Sequence, residues 1–302
     1  MILLTDAPFD VSELEPLAPA VGPFATLGFL RAVTTFVSET LEVIGDDRGA
    51  ILVTRSDEII RMAGHPDLTD YHSPLGESLD PVVTRLAEEC SDGWAIDLDS
   101  LPTEAAEPLA DGLRAVGCDV SFEQHTVSAV LTLPGTFDDY LAMLSKKQRH
   151  EVRRKRRRYE DVLGEVMHET HPDPGWAFEE FVRLHRLSDG EKGDFMTPER
   201  EEFFRTLMAL EGWRMDVLRV PGTDRASATL FSYSDDSGVY LYNSSYDPEL
   251  GEASPGIAIV GTMIETAIEE GLPRFDFLKG DEVYKFRLGA EERPLFRLAV
   301  RT

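Results

Sequence analysis

Apolar residues along this chain recur at steps of two in some stretches and at steps of three and four in others. Those two periods separate strands from helices. Phe24 to Ile44 predicts a first helix, with Phe29, Val33, Phe36, Val37 and Leu41 on one side. Ala50–Thr54 and Glu58–Ala63 read as strands around a polar turn at Ser56-Asp57. The turn-rich stretch HPDLTDYHSPLGESLDP follows, then a helix carrying Val82, Val83, Leu86 and Ala87. Trp94–Leu98 predicts a strand, Thr103–Val116 a helix and Asp119–Phe122 another strand.

The second half repeats this order. After helical stretches at Trp176–Leu187 and Thr197–Leu210, strands are predicted at Trp213–Val220, Ala226–Ser232 and Val239–Tyr246. In VYLYNSSY the alternation sets Tyr240, Tyr242, Ser244 and Tyr246 on one face. A loop from Asp247 to Gly256 leads into a helix with Ile257, Val260, Ile264 and Ala267/Ile268 at helical spacing, closed by Gly271 and Pro273. A strand at Arg274–Leu278, a short helix at Glu282–Leu288 and a strand at Leu295–Val300 complete the chain. Even the loops echo each other, Ser73-Pro74-Leu75-Gly76 in the first half and Ser254-Pro255-Gly256 in the second. The expected fold is α/β (α+β): two copies of one unit, the first degenerate, each a mixed and mostly antiparallel sheet flanked by helices. The predicted domains are 1–130 and 131–302, with a basic helix over 138–163 leading into the second.

Charge narrows the partners. The formal net charge is −26, and only six of the 30 basic residues are Lys. A saline cytoplasm and a GC-rich genome both account for that bias. Most of the surface must repel phosphate, which disfavours bulk nucleic-acid binding. SKKQRHEVRRKRRRYE (145–160) is the exception: nine Lys or Arg against two Glu, a net +7, leave −33 for the remainder. Leu141, Leu144, Gln148, Val152 and Tyr159 give this helix a thin apolar seam. It can pair with the acidic body, border an active site, or grip an RNA backbone. Cys90 and Cys118 have no metal-type spacing and read as reduced thiols. The N-terminus lacks the basic and apolar regions of a signal peptide, and no stretch is long and apolar enough to span a membrane, so a cytoplasmic location without membrane insertion is expected.

The densest chemistry lies between Gly238 and Gly289. A strand, a Gly/Ser/Pro turn and a helix N-terminus make a place to hold a phosphate, because first-turn N–H groups lack partners and the macrodipole adds positive potential. Pro255 suits the first helical position, and Gly256 lets a ligand approach the backbone. An ordinary strand–helix connection has the same pattern. Nucleophile-elbow, Walker, His-Glu-x-x-His and Cys-x-x-Cys motifs are all absent.

YDPELGEASPG before the helix and DFLKGDEVYKFRLG after it resemble the GNAT superfamily of acyltransferases, in the CelD-like or BioF2-like branch related to the FemAB aminoacyltransferases. The general GNAT pyrophosphate pattern is absent, with Ser254-Pro255-Gly256 in its place. The resemblance implies tandem GNAT-like halves and an N-acyltransferase that moves an acyl group, such as acetyl, from acyl-CoA to an amine, with no metal. It leaves open an aminoacyl-tRNA donor and peptide-bond formation, as well as a non-catalytic scaffold. The acceptor is a small-molecule or peptide amine. Donor contacts are expected at Ser254, Pro255, Gly256, Ile257 and Ala258. Lys285, Tyr284 and Asp281 are the catalytic candidates: Lys285 to neutralise a phosphate or oxyanion, Tyr284 to donate to the leaving group, Asp281 as base or amine anchor. Tyr246 at the end of its strand, Lys147 and Arg153 on the basic helix, and Tyr71 in the Asp-Tyr loop are candidates for substrate binding.

Overall fold

The computed structural model describes residues 10–188 and 194–301. Two compact units emerge, one of residues 1–128 and 293–302, the other of residues 129–292. A contiguous division near residue 130 has the last ten residues in the second domain; here they fall in the first.

In the first unit Thr26 caps α1 (Leu27–Val37) by accepting from the Phe29 N–H, and Ser38 ends the helix in the left-handed conformation. The predicted helix to Ile44 is therefore cut short, and Glu42–Asp46 forms β1 instead. Leu41, Val43 and Ile44 satisfy either period, so local pattern could not separate the two. β2 (Gly49–Ser56) and β3 (Ile59–Met62) continue an antiparallel meander, with β4 (Leu75–Gly76) paired to the start of β2. α2 (Asp80–Ser91) then crosses to β5 (Ala95–Pro102), which runs parallel to β3. α3 (Thr103–Ala115) leads to β6 (Val120–Thr132), a far longer strand than the four residues predicted.

The second unit opens with α4 (Phe137–Met143) and α5 (Lys146–Leu163). The single basic helix expected over 138–163 is broken at Leu144-Ser145, because Ser145 and Gln148 form a reciprocal capping box that starts a new helix. β7 (Met167–His171), α6 (Trp176–Leu187) and α7 (Pro198–Met208) follow, and β7 is a strand the pattern reading missed. β8 (Trp213–Arg219), β9 (Ala226–Asp235) and β10 (Gly238–Tyr246) form the central meander. α8 (Pro255–Glu269) crosses to β11 (Arg274–Lys279), parallel to β10, and α9 (Val283–Arg287) precedes β12 (Glu291–Val300).

The strand order is β1-β2-β3-β5-β12-β6 in the first unit and β6-β11-β10-β9-β8-β7 in the second, as β6 contributes residues to both. Each unit thus runs through an antiparallel meander, a crossover helix, and a parallel strand bearing a left-handed non-glycine residue, Ser100 (φ 54°) or Leu278 (φ 62°). That shared order is the two-copy α/β arrangement expected from the sequence. The loop echo is not part of it. Leu75-Gly76 lies in β4, and α2 starts only at Asp80, whose carboxylate occupies the first turn.

The core of the second unit explains why α8 lies where it does. Ile259, Met263, Ile264 and Ala267 pack on Leu218, Leu230, Val239, Phe275 and Phe277. The other sheet face carries an aromatic cluster in which Phe181 and Phe204 meet Phe231, and Phe231 stacks on Trp213 at 4.9 Å. Burying side chains of this size contributes about 1.5–3 kcal/mol each. His185 sits in this cluster, edge-on to Phe181.

Candidate functional site

The site grows from the place where β10 and β11 part. Their parallel pairing covers only Val239 with Phe275 and Tyr240 with Asp276, although β10 runs on to Tyr246. The two strands diverge beyond Tyr240, and β10 runs on past the end of that pairing with β11. A bulge falls within the same stretch: the register against β9 slips between Leu241 and Asn243. An extra residue reverses which face the later side chains take. Tyr240 and Tyr242 lie against the aromatic face, each with its ring near another aromatic. After the slip it is Ser245 that is buried there, bonding the Thr229 hydroxyl, while Tyr246 pairs opposite Ala228. The single tyrosine face predicted from strict alternation is corrected accordingly: the bulge turns Tyr246 to the side of α8.

There it meets Gly256. A Cβ at Gly256 would stand 3.1 Å from the Tyr246 ring, so the glycine is what allows this approach. Tyr246 remains 41% exposed, a flat aromatic wall beside the start of α8. Ser254 takes a left-handed conformation (φ 58°) after the 3-10 turn Pro248–Ala253 and hands the chain to Pro255, the first helical residue. The N–H of Ser254 donates to the Gly251 carbonyl, and those of Ile257 and Ala258 donate to the Ser254 carbonyl. Pro255 has no N–H to offer. Of the five residues expected to contact a donor, Gly256 is the one with an N–H that finds no partner among the described residues, at the positive end of a fifteen-residue helix. The backbone contacts expected from Ser254 and Ile257 are already used within the turn.

α5 adds a cation that the sequence reading did not single out. Lys155 Nζ donates to Ser254 Oγ at 2.8 Å, beside the same helix start. Gln148, Val152, Lys155 and Tyr159 follow one another at steps of three and four, so Lys155 lies on the seam that packs inward. Gln148 donates to the Phe286 carbonyl, and the Tyr159 hydroxyl is paired with Ser227. Lys147 and Arg153, the two representatives chosen from this helix, are exposed and form no ion pair among the described residues. The cluster divides: Arg154, Arg156 and Arg158 pair with Glu151, Glu265 and Glu252, whereas Lys146, Lys147, Arg149, Arg153 and Arg157 have no carboxylate partner among the described residues.

The segment leaving β11 is held by Lys285. This side chain is 3% exposed, and its Nζ donates to the carbonyls of Leu278, Lys279 and Gly280 while pairing with Glu282 at 2.8 Å. Its donors are spent on fixing the backbone, with none aimed at a free phosphate. Asp276, fully buried, accepts from the Leu278 N–H at 2.8 Å and holds that residue's left-handed turn. Tyr284 packs edge-on to Phe277; burial, reinforced by the Glu282 carboxylate, pushes its phenol up to about 12. It keeps its proton near neutral pH and can act as a donor. Asp281 is exposed at the mouth of this turn.

Tyr71 belongs to the first unit. It is fully buried, its hydroxyl donates to Ser128 at 2.6 Å, and the Arg293 guanidinium lies 5.1 Å from its ring, so its polar and apolar faces are both occupied within that unit's core. An open concavity of about 650 Å³ on the first unit is lined by Ile59, Asp97, Ser121 and Arg297 and includes none of the candidate residues. Burial lifts the Cys90 thiol to about 11, which keeps it unreactive. Among the described residues no group of three or more His, Cys, Asp or Glu is placed to hold a metal ion, and no helix is long and apolar enough to cross a membrane.

Residues 146–286 match a family model described as an acetyltransferase (GNAT) domain. The match starts at the first residue of α5 and ends within α9, so it spans Lys155, Gly256 and Lys285. No curated protein matches. Among solved structures the chain is similar to L-PGS from Bacillus licheniformis, with 13% identity, TM-score 0.62, and 95% of this chain and 93% of that one covered. It is similar to FemX at 11% identity and TM-score 0.62, with the same coverage. A conserved protein of unknown function from Bacteroides thetaiotaomicron aligns at 13% identity and TM-score 0.65 over 97% and 94% of the chains. Identities this low show a shared fold alone, and the acetyltransferase (GNAT) domain match over residues 146–286 lies within the second unit.

Proposed function

We propose that the second unit is an N-acyltransferase that moves an acyl group from acyl-CoA to an amine. The observation that carries this reading is the meeting of three features at one point: the Gly256 N–H at the start of α8, without a partner among the described residues, the Lys155 ammonium on Ser254, and the end of β10, where the Tyr246 ring lies against Gly256. An N–H group at a helix start and a nearby ammonium suit a pyrophosphate. The edge of β10 suits the amide-bearing pantetheine arm, which can bond a strand edge as a peptide does.

Chemistry then needs little beyond orientation. A neutral amine attacks the thioester carbonyl, the C–N bond forms and the C–S bond breaks, and the sulfur leaves as a thiolate that must be neutralised. Tyr284, held protonated, is the candidate donor to that sulfur. Asp281 is the candidate acceptor of the amine proton, and Lys285 positions the turn that carries both. The test is a thermal-shift titration with acetyl-CoA, longer acyl-CoAs and free CoA. Binding to the folded state raises the melting temperature, and a Gly256→Glu chain should lose that rise. No shift with any thioester or with CoA would overturn the reading.

An aminoacyl-tRNA donor is the second reading, favoured by the cations of α5 that have no carboxylate partner among the described residues. Its mark is binding of mixed tRNA that falls steeply with salt. The charge of −33 on the rest of the chain weighs against it.

A further inference from the structure

Lys146, Arg149, Arg153 and Arg157 recur at steps of three and four, so they share one face of α5, with His150 among them. This face lies opposite the seam of Gln148, Val152, Lys155 and Tyr159. Among the described residues none of the four cations has a carboxylate partner, although the chain carries 56 acidic residues and Arg154, Arg156 and Arg158 all found one. A single helix face that keeps its positive charge on so acidic a protein is complementary to an anionic partner and repelled by little else.

We propose that this face docks a small acidic carrier protein that presents the acyl group as a thioester on a phosphopantetheine arm. The inference rests on the acyl-transfer reading and names the source of the donor. The four cations are spaced about one helical turn apart over roughly 16 Å, which matches carboxylates at the same steps along one acidic helix laid against α5. A longer polyanion would run onto the strongly negative remainder of the chain. The stripe also lacks exposed aromatic residues on which nucleic-acid bases stack, since Tyr159 is buried. The opposite face of the same helix delivers Lys155 to the start of α8, one helix diameter of about 10 Å away. A flexible arm anchored at the stripe can pass over the helix to that point. The arm has the phosphate, amides and thioester that CoA has, so the same cradle serves both. The reaction is unchanged: the amine nitrogen bonds the acyl carbon, the carbon–sulfur bond breaks, and the arm leaves as a thiol with the proton the amine gives up.

The experiment uses the full chain and an acyl carrier protein of fatty-acid synthesis, in its arm-less form and its acetylated form. The arm-less form should bind the wild type through charge alone and more weakly as salt rises. Binding should fall at least tenfold in a Lys146→Glu/Arg149→Glu/Arg157→Glu chain whose acetyl-CoA thermal shift is unchanged, and should persist in an Arg149→Lys/Arg157→Lys chain. The melting temperature without ligand reports whether the triple variant folds; if it does not, Arg157→Glu alone is read in its place, with an expected loss of at least threefold. The proposal is overturned if the carrier fails to bind the wild type, if charge reversal leaves its affinity unaltered, or if mixed tRNA binds and is lost on reversal instead. Failure of acetyl-CoA itself to shift the wild type strikes the acyl-transfer reading and not the docking face.

Discussion

Lys155 and Ser254 are 99 residues apart in the chain and 2.8 Å apart in space, an ammonium donating to the hydroxyl of the residue that starts α8. The helix dipole and this cation act on the same small volume, so an anion placed there feels both. Lys155→Met should therefore raise the dissociation constant for acetyl-CoA about tenfold, or roughly 1.4 kcal/mol. The half-exposed pair contributes little to folding, and the melting temperature should hold nearly constant. Calorimetric titration of the two chains settles it. An unchanged affinity would remove Lys155 from the donor site.

Gly256 tests the other side of that volume. In Gly256→Ala the new methyl meets the Tyr246 ring at 3.1 Å, and the ring must give by a few tenths of an ångström. Alanine also gains up to about 1 kcal/mol of helix propensity over glycine, so stability should stay within about 1 kcal/mol of wild type. Donor affinity should fall, because the displaced ring and methyl crowd the Gly256 N–H. Adding Tyr246→Ala should restore part of it, and a double-mutant cycle measures the coupling.

Lys285 is expected to show first in stability. Replacement by Met leaves three carbonyls and Glu282 without their shared donor. Removing one partner of a buried charged network costs about 3 kcal/mol, read as a lower midpoint in urea. A fully stable Lys285→Met chain that has merely lost activity would mean that the lysine acts on substrate directly.

Tyr284 fixes an alkaline limit. Its folded-state value near 12 lies above the ordinary 10, so the unfolded chain releases this proton first. The stabilisation is complete below pH 10 and is lost as pH rises from 10 towards 12. Tyr140 and Tyr240 are shifted in the same direction by burial and steepen the fall. Tyr284→Phe should show a shallower decline in melting temperature between pH 9 and 11. If Tyr284 donates to the leaving sulfur, that chain should also turn over more slowly at pH 7 with acetyl-CoA affinity unchanged.

How far the sequence reached differed from one residue to the next. α8 was legible because Pro255, Gly256 and the 257–268 stripe are local signals, and the segment with Lys285 was found by its motif. What Lys285 does was not, since three backbone carbonyls leave no mark in composition. Lys155 was hidden among nine cations that look alike. Only its place in the 148, 152, 159 seam sets it apart, and that step was there to be counted. The bulge at Tyr242 defeated the alternation rule because one inserted residue depends on the register with β9, not on the strand's own pattern. β1 was lost to a helix because apolar neighbours at a boundary fit both periods.

The division of the chain has a consequence for its birth. Residues 293–300 complete the sheet of the first unit by pairing with β5 from Pro102 to Ile96, and they are made after the whole of the second unit. During synthesis β5 therefore waits with one edge unpaired while some 190 further residues emerge, a condition that invites strand addition from a neighbouring chain. The first unit is begun first and finished last, and a ribosome that stalls before Arg293 would release a chain with a sticky seam.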